Sequence, residues 1–247
     1  MIKIKRGNNY DCLMPSWHIK LILEVLTMNN KKIYLSPSNQ DGNMYAFGGT
    51  NEMEQCNRIA DCAKTALERC GFTVKKAPKG QSMYTSISES NAWGADLHIP
   101  IHTNAYNGSA GGTVVFVYSD NAKNMSIAKP IYNHVQSVTP GKTEYGVREN
   151  PGLAELSATN AIAVYIEVDF HDNKEIAKWL IENPKLVGEA ICAGVCDAFD
   201  IKYTPEKQTT VYRVQVGAFT DKRNADNLLS KLKKQGYTDA FITTQGG

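Results

Sequence analysis

The stretch Ala95-Asp96-Leu97-His98-Ile99-Pro100-Ile101-His102-Thr103-Asn104-Ala105 governs how the rest is read, because an apolar strand runs straight into a histidine and an asparagine at its end. In an open α/β sheet the carboxyl ends of strands face the ligand crevice, so a histidine there can present an imidazole nitrogen to an ion. His98 points to the same strand face four residues earlier. Roughly 13 Å of extended chain separates the two, too far to share one ion, so His98 reads as packing or a hydrogen bond lower in the sheet.

Ala161-Ile162-Ala163-Val164-Tyr165-Ile166-Glu167-Val168-Asp169-Phe170 reads as a second strand ending in the same way. It sets Glu167 in a run so apolar that an idle carboxylate would be costly to bury. Either a distant basic group such as Arg148 pairs with it, or it serves as a general base whose pKa burial raises toward the working range.

Around these two strands the pattern alternates. Glu52 opens a segment with Met53, Cys56, Ile59, Ala60, Ala63, Ala66 and Leu67 at helical spacing, and Gly71 closes it. Ile33 to Leu35, Phe72 to Val74 and Thr113 to Tyr118 read as further strands. Ser86 to Trp93, Ala122 to Val138, Asn173 to Glu182 and Pro184 to Phe199 read as further helices. Strands alternating with helices predict an α/β fold, a mainly parallel twisted sheet with helices on both faces.

The chain has 247 residues and a net charge of only +2, which argues against a nucleic-acid binder that works by neutralising phosphates. No apolar run approaches the length of a membrane-spanning helix, so no membrane partner is expected. Ile19 to Leu26 is interrupted by Lys20 and Glu24 and is not followed by a small-residue cleavage site, so it is not read as a signal peptide. The six cysteines, at 12, 56, 62, 70, 192 and 196, show no paired Cys-x-x-Cys spacing. They read as small buried hydrophobes in a reducing compartment. Cys192 and Cys196 share a helical face, but two ligands alone make no structural metal site. His134 reads as solvated.

With Asn51-Glu52 upstream, these segments resemble the zinc-dependent N-acetylmuramoyl-L-alanine amidases of the third amidase family, over about residues 31 to 200. Four parts occur in the family's order. They are a first strand ending in a Pro-containing loop, a glutamate opening a long helix, the aspartate-strand-His-x-Asn motif ending at His102 and Asn104, and Glu167-Val168-Asp169-Phe170-His171-Asp172-Asn173. The resemblance implies a phosphorylase/hydrolase-like amidase fold, peptidoglycan as substrate and Zn2+ as cofactor. It further implies Glu52 and His102 as metal ligands, Glu167 as the catalytic group, and Asn104 and Asn173 as substrate-binding residues.

The chain departs from the family at the first strand. Where the family has a Gly-His-Gly loop whose histidine binds zinc, this chain has Ser36-Pro37-Ser38-Asn39-Gln40, which puts Asn39 at the histidine position. An amide oxygen is a weaker, neutral ligand. Asn39 is therefore expected as the third ligand, with His171 as the alternative if the chain turns at Phe170. Two rival readings follow: a non-catalytic wall-binding homologue, or a metallopeptidase acting on a different wall bond.

Residues 211 to 247 alternate as a strand over Val211 to Phe219, then an amphipathic helix over Asp221 to Gln235, then a strand over Ala240 to Ile242. Val214-Gln215-Val216-Gly217-Ala218-Phe219 resembles the start of a SPOR domain, which implies binding to glycan strands and a small truncated β-α-β unit. The expected organisation is an N-terminal extension at 1–30 with Met28 as an alternative start, a catalytic domain at 31–202, a linker at 203–210 and the partial SPOR domain at 211–247. The protein is expected to act as a monomer at the cell wall, reached by lysis, a holin or non-classical release.

Overall fold

The computed structural model describes residues 31–207 and 214–244. The N-terminal extension with Met28 and Cys12, and the first three residues of the expected strand at 211–219, lie outside them. The chain divides into two compact units between Glu206 and Lys207.

The first unit runs β1 (Lys32–Pro37), α1 (Glu52–Arg69), β2 (Thr73–Lys76), α2 (Met83–Trp93), β3 (Leu97–Asn104), β4 (Val114–Val117), α3 (Ala122–Val138), β5 (Gly146–Glu149), α4 (Ala154–Ser157), β6 (Ile162–Phe170), α5 (Lys174–Glu182) and α6 (Pro184–Ala198). The six strands form one sheet in the order β2-β1-β3-β6-β4-β5. β2, β1, β3 and β6 are parallel, whereas β4 pairs antiparallel to β6 and carries β5 parallel beside it. The mainly parallel sheet thus ends in a reversed pair. A parallel return needs a crossover of a dozen or more residues, and only the loop between Asn104 and Val114 joins β3 to β4. β5 and the single-turn α4 were not legible as elements, being four residues each with no sustained period.

Strand alternation divides the buried residues between two faces. Ile33, Leu35, Leu97, Ile99, Ile101, Val164, Ile166 and Val168 enter the main core against α1, α3 and α6, which contribute Ile59, Ala63, Leu67, Ile131, Val135, Ile191 and Val195. The opposite face carries Tyr34, Ser36, His98, His102, Tyr165 and Glu167 and meets α2 and α4. There the Tyr34 hydroxyl donates to Glu89 at 2.7 Å, and Leu156 packs with Ala163 and Tyr165.

Local chemistry fixes the helix ends near the crevice. The Asn51 side chain accepts from Glu54 N at 2.9 Å, so α1 starts at Glu52. Asp169, at the end of β6, accepts from the backbone N–H groups of Gly112, Gly141 and Phe170. Gly112 has φ 135° and a Cβ there would collide with the Thr143 carbonyl, so only glycine lets the two loops approach this closely.

In the second unit the expected helix forms as α7 (Lys222–Lys234), capped by the Asp221 side chain. The flanking strands do not form over their described parts. Residues 214–219 and 240–244 carry no ladder, and Val214, Val216 and Phe241 are exposed. Two strands and one helix offer too little apolar surface to hold a pair of strands together.

Candidate active site

Glu52 enters the crevice from the first turn of α1, and His102 from near the end of β3. Both are buried, and Glu52 Oε1 lies 2.8 Å from His102 Nδ1. The second Glu52 oxygen accepts from Asn43 Nδ2 at 2.7 Å. Burial works against charge on both groups, but their mutual hydrogen bond and attraction win. The glutamate is held below its ordinary pKa, and the histidine above its own, with Glu167 and Glu155 adding to the pull. Tyr165 stacks on the imidazole with ring centroids 4.5 Å apart, which fixes the plane in which its nitrogens can be used.

Glu167 is the direct register partner of His102 across the β3–β6 pair. Its Oε2 is buried with no hydrogen-bond partner, and burial, with some repulsion from Glu52, pushes the carboxyl up to about 7 against the attraction of His102. Arg148 does not pair with it: its Nε donates to the Tyr145 carbonyl at 3.0 Å and the guanidinium carbon lies 5.4 Å from the centre of the Tyr145 ring. An unpaired carboxylate oxygen beside a histidine–glutamate pair is the arrangement expected of a proton acceptor.

The first loop brings in a different residue from the one expected. Asn39 is exposed and makes no hydrogen bond among the described residues, whereas Gln40 Nε2 lies 3.4 Å from His102 Nδ1 and Gln40 Oε1 accepts from Asn43 Nδ2 at 2.7 Å. The loop after Ser38 places the side chain one residue later than the family spacing suggests. His171 turns away from the pair. Its Nδ1 meets the carbonyl and hydroxyl of Thr103 at 2.9 and 3.0 Å, and its ring stacks on Tyr45. Thr103 follows His102 in β3, so its side chain lies on the other face of the sheet.

Asn104 and Asn173 also have local partners. Asn104 Oδ1 accepts from Ala105 N, and Asn173 caps α5 through Glu175 N and Ile176 N while donating to the Ala110 carbonyl. Glu155, on α4, was missed. It is buried, accepts from the Ser36 hydroxyl, and lies 3.2 Å from His98 Nε2 and 3.9 Å from His102 Nε2. Its sequence context, Leu153-Ala154-Glu155-Leu156, carried no signal, because only the fold brings α4 over β1 and β3. His98 is buried as expected but belongs to this polar chain, with Tyr34 stacked on it. His134, half-buried on α3, pairs with Asp197 at 2.7 Å.

The donor set fits a small divalent ion. Bonds of 2.0–2.1 Å at tetrahedral angles put ligand atoms about 3.3 Å apart. Gln40 already stands near that distance from His102 Nδ1, and the Glu52–His102 contact needs to open by only about half an ångström once an ion replaces the proton between them.

The family model described as N-acetylmuramoyl-L-alanine amidase matches residues 37–197, and the SPOR domain model matches 197–247. The sporulation-specific N-acetylmuramoyl-L-alanine amidase of Bacillus subtilis (strain 168) is 25% identical over 225 residues, 85% of this chain and 84% of that protein. The catalytic domain of the amidase CwlV from Bacillus (Paenibacillus) polymyxa var. colistinus shares the fold at TM-score 0.63 and 16% identity, covering 70% of this chain and 99% of that one. The N-acetylmuramoyl-L-alanine amidase from Clostridium difficile 630 does so at TM-score 0.63 and 20% identity, covering 70% and 98%. With a family match running through the sheet, the crevice and both strand-end motifs, this chain belongs to the N-acetylmuramoyl-L-alanine amidases.

Proposed function

We propose that the chain hydrolyses the amide between the lactyl group of N-acetylmuramic acid and the L-alanine of the stem peptide in peptidoglycan, as a single chain at the cell wall. The observation that carries this reading is the unpartnered Glu167 carboxylate, raised to about 7 beside the Glu52–His102 pair.

Glu52 through Oε1, His102 through Nδ1 and the Gln40 amide oxygen would hold zinc. A half-turn of the Gln40 amide points its oxygen at the site, at the expense of its hydrogen bond from Asn43. Zinc, when bound, supplies Lewis acidity toward the amide carbonyl and an acidified water. Glu167 accepts the proton of the attacking water and returns it to the departing amine of L-alanine. Tyr165 holds the imidazole plane, and Glu155 faces the far nitrogen of His102, favouring the tautomer that leaves Nδ1 free for metal. Asn43 keeps Glu52 aimed into the crevice.

The test is digestion of purified sacculi by zinc-loaded protein, followed by analysis of the released fragments. The reading requires new N-terminal L-alanine together with peptide-free glycan. New termini elsewhere in the stem would mean a metallopeptidase, and no new termini with intact sacculus binding would mean a wall-binding module.

A further inference from the structure

Three of the cysteines meet in space although the sequence scatters them. Cys70 is the residue that closes α1, and Cys192 and Cys196 lie one turn apart on α6. α6 lies against α1, with Gly188 so close to Cys62 and Ala63 that a Cβ there would clash with both. The Cys70 and Cys192 sulfurs are 3.6 Å apart and those of Cys192 and Cys196 4.0 Å apart; all three lie within 4.8 Å of one another. Among the described residues this is the one group of three cysteine, histidine or acidic side chains whose ligand atoms come so close. Cys192 and Cys196 are fully buried and Cys70 nearly so.

We propose that Cys70, Cys192 and Cys196 form a second, structural metal site that takes one soft divalent ion of the zinc or cadmium class and clamps the C-terminal end of α1 to α6. Sulfur bonds of about 2.3 Å put thiolates roughly 3.8 Å apart in a tetrahedral site and roughly 4.0 Å apart in a trigonal one. The Cys70–Cys192 and Cys192–Cys196 separations bracket the first value and reach the second, and the Cys70–Cys196 pair, within 4.8 Å, has to close by no more than about 1 Å. A disulfide, by contrast, would need the nearest pair to close to about 2.0 Å.

The surroundings suit a thiolate cluster. Thr204 N–H is directed at Cys70 Sγ at 3.4 Å, and the Thr204 carbonyl oxygen lies 3.8 Å from the same sulfur, where it can complete the coordination. Arg69 donates from Nε to that carbonyl at 2.8 Å while its Nη2 pairs with Glu189 at 2.5 Å, which holds the carbonyl beside the sulfurs. Binding releases the three thiol protons to solvent and changes no oxidation state.

The experiment titrates Cd2+ into the full chain, reduced, freed of metal and kept without oxygen, and follows the sulfur-to-metal charge-transfer band and thermal melting. The proposal expects one equivalent to develop the band and raise Tm, since an ion bound only by the folded state stabilises it. Cys192→Ser and Cys70→Ser should abolish the band, while Cys62→Ser and His102→Ala should keep it. The His102→Ala arm separates this site from the crevice. A fold check by circular dichroism on each variant ensures that a lost band reports coordination. Absence of the band in the reduced wild type or its persistence in folded Cys192→Ser would overturn it.

Discussion

Glu155 Oε2 stands 3.9 Å from His102 Nε2, on the side of the ring opposite Glu52, while the other Glu155 oxygen is held by His98 and Ser36. The imidazole is thus bracketed by carboxylates on both nitrogens. Glu155→Gln keeps the shape and the contact with Ser36 but removes the charge behind the ligand. The expected result is metal affinity roughly 10-fold weaker, with kcat reduced and KM for muropeptides unchanged, since Glu155 is too buried to touch substrate. Unchanged metal affinity would reduce Glu155 to a packing residue.

Glu167→Gln separates chemistry from metal binding. The amide cannot accept a proton, so turnover should fall about 10²-fold or more with metal content intact. Stability gives an independent readout in the metal-free protein. The folded state holds the Glu167 proton up to about pH 7, against 4.5 ordinarily. This contribution to stability is complete below pH 4.5 and is lost as the pH rises through 7. Metal-free Glu167→Gln should therefore melt like wild type at low pH and gain on it through neutrality, by at most about 3 kcal/mol. Parallel melting profiles across that range would show that Glu167 is not raised.

His102→Ala should remove crevice metal and activity together, leaving the main core intact, because the imidazole packs only against Tyr165 and its polar partners. Metal content by mass spectrometry checks it, and full occupancy in the variant would remove His102 from the ligand set.

The loop after β1 gives a three-way comparison. Gln40→Ala should weaken metal binding roughly 10-fold or more, and Asn39→Ala should leave it unchanged. His171→Ala should leave metal in place but cost roughly 1–3 kcal/mol of stability, because the Thr103 carbonyl loses the imidazole, the Thr103 hydroxyl keeps only Tyr45, and Tyr45 loses its stacked ring. Metal loss from Asn39→Ala or His171→Ala would restore the assignment the sequence spacing favours.

The longer helices, the central parallel strands and both strand-end motifs were legible because each rests on a local pattern: a 3.6-residue period for α1, α3, α5 and α6, and continuous apolar runs for β3 and β6. What was not legible is what only folding creates. Glu155 has no periodic context, and its role comes from α4 lying over Ser36 and His98. Gln40 rather than Asn39 faces His102 because a loop's side-chain directions do not follow from spacing to a family motif. The three-cysteine cluster joins positions more than a hundred residues apart across a helix seam. The expected strands beside α7 failed for the opposite reason, since their alternation is a property of sequence whereas a ladder needs partners.

The C-terminal unit can be removed in two places with different outcomes. Deletion from Lys207 onward cuts where the two compact units divide, and should leave melting of the first unit and hydrolysis of soluble muropeptides unchanged. Deletion after Tyr203 removes Thr204 as well, and with it the carbonyl that accepts from Arg69 and the N–H directed at Cys70. It also removes Glu206, the ion-pair partner of exposed Lys185, which should matter little. The shorter chain should therefore lose roughly 1–2 kcal/mol relative to the longer one, through the lost Arg69 Nε hydrogen bond and the opened end of α1, although Arg69 keeps its pair with Glu189. Differential scanning calorimetry on the two truncations decides it: equal Tm values would show that Thr204 contributes nothing, and a large loss already at Lys207 would show that the second unit is part of the stability of the first.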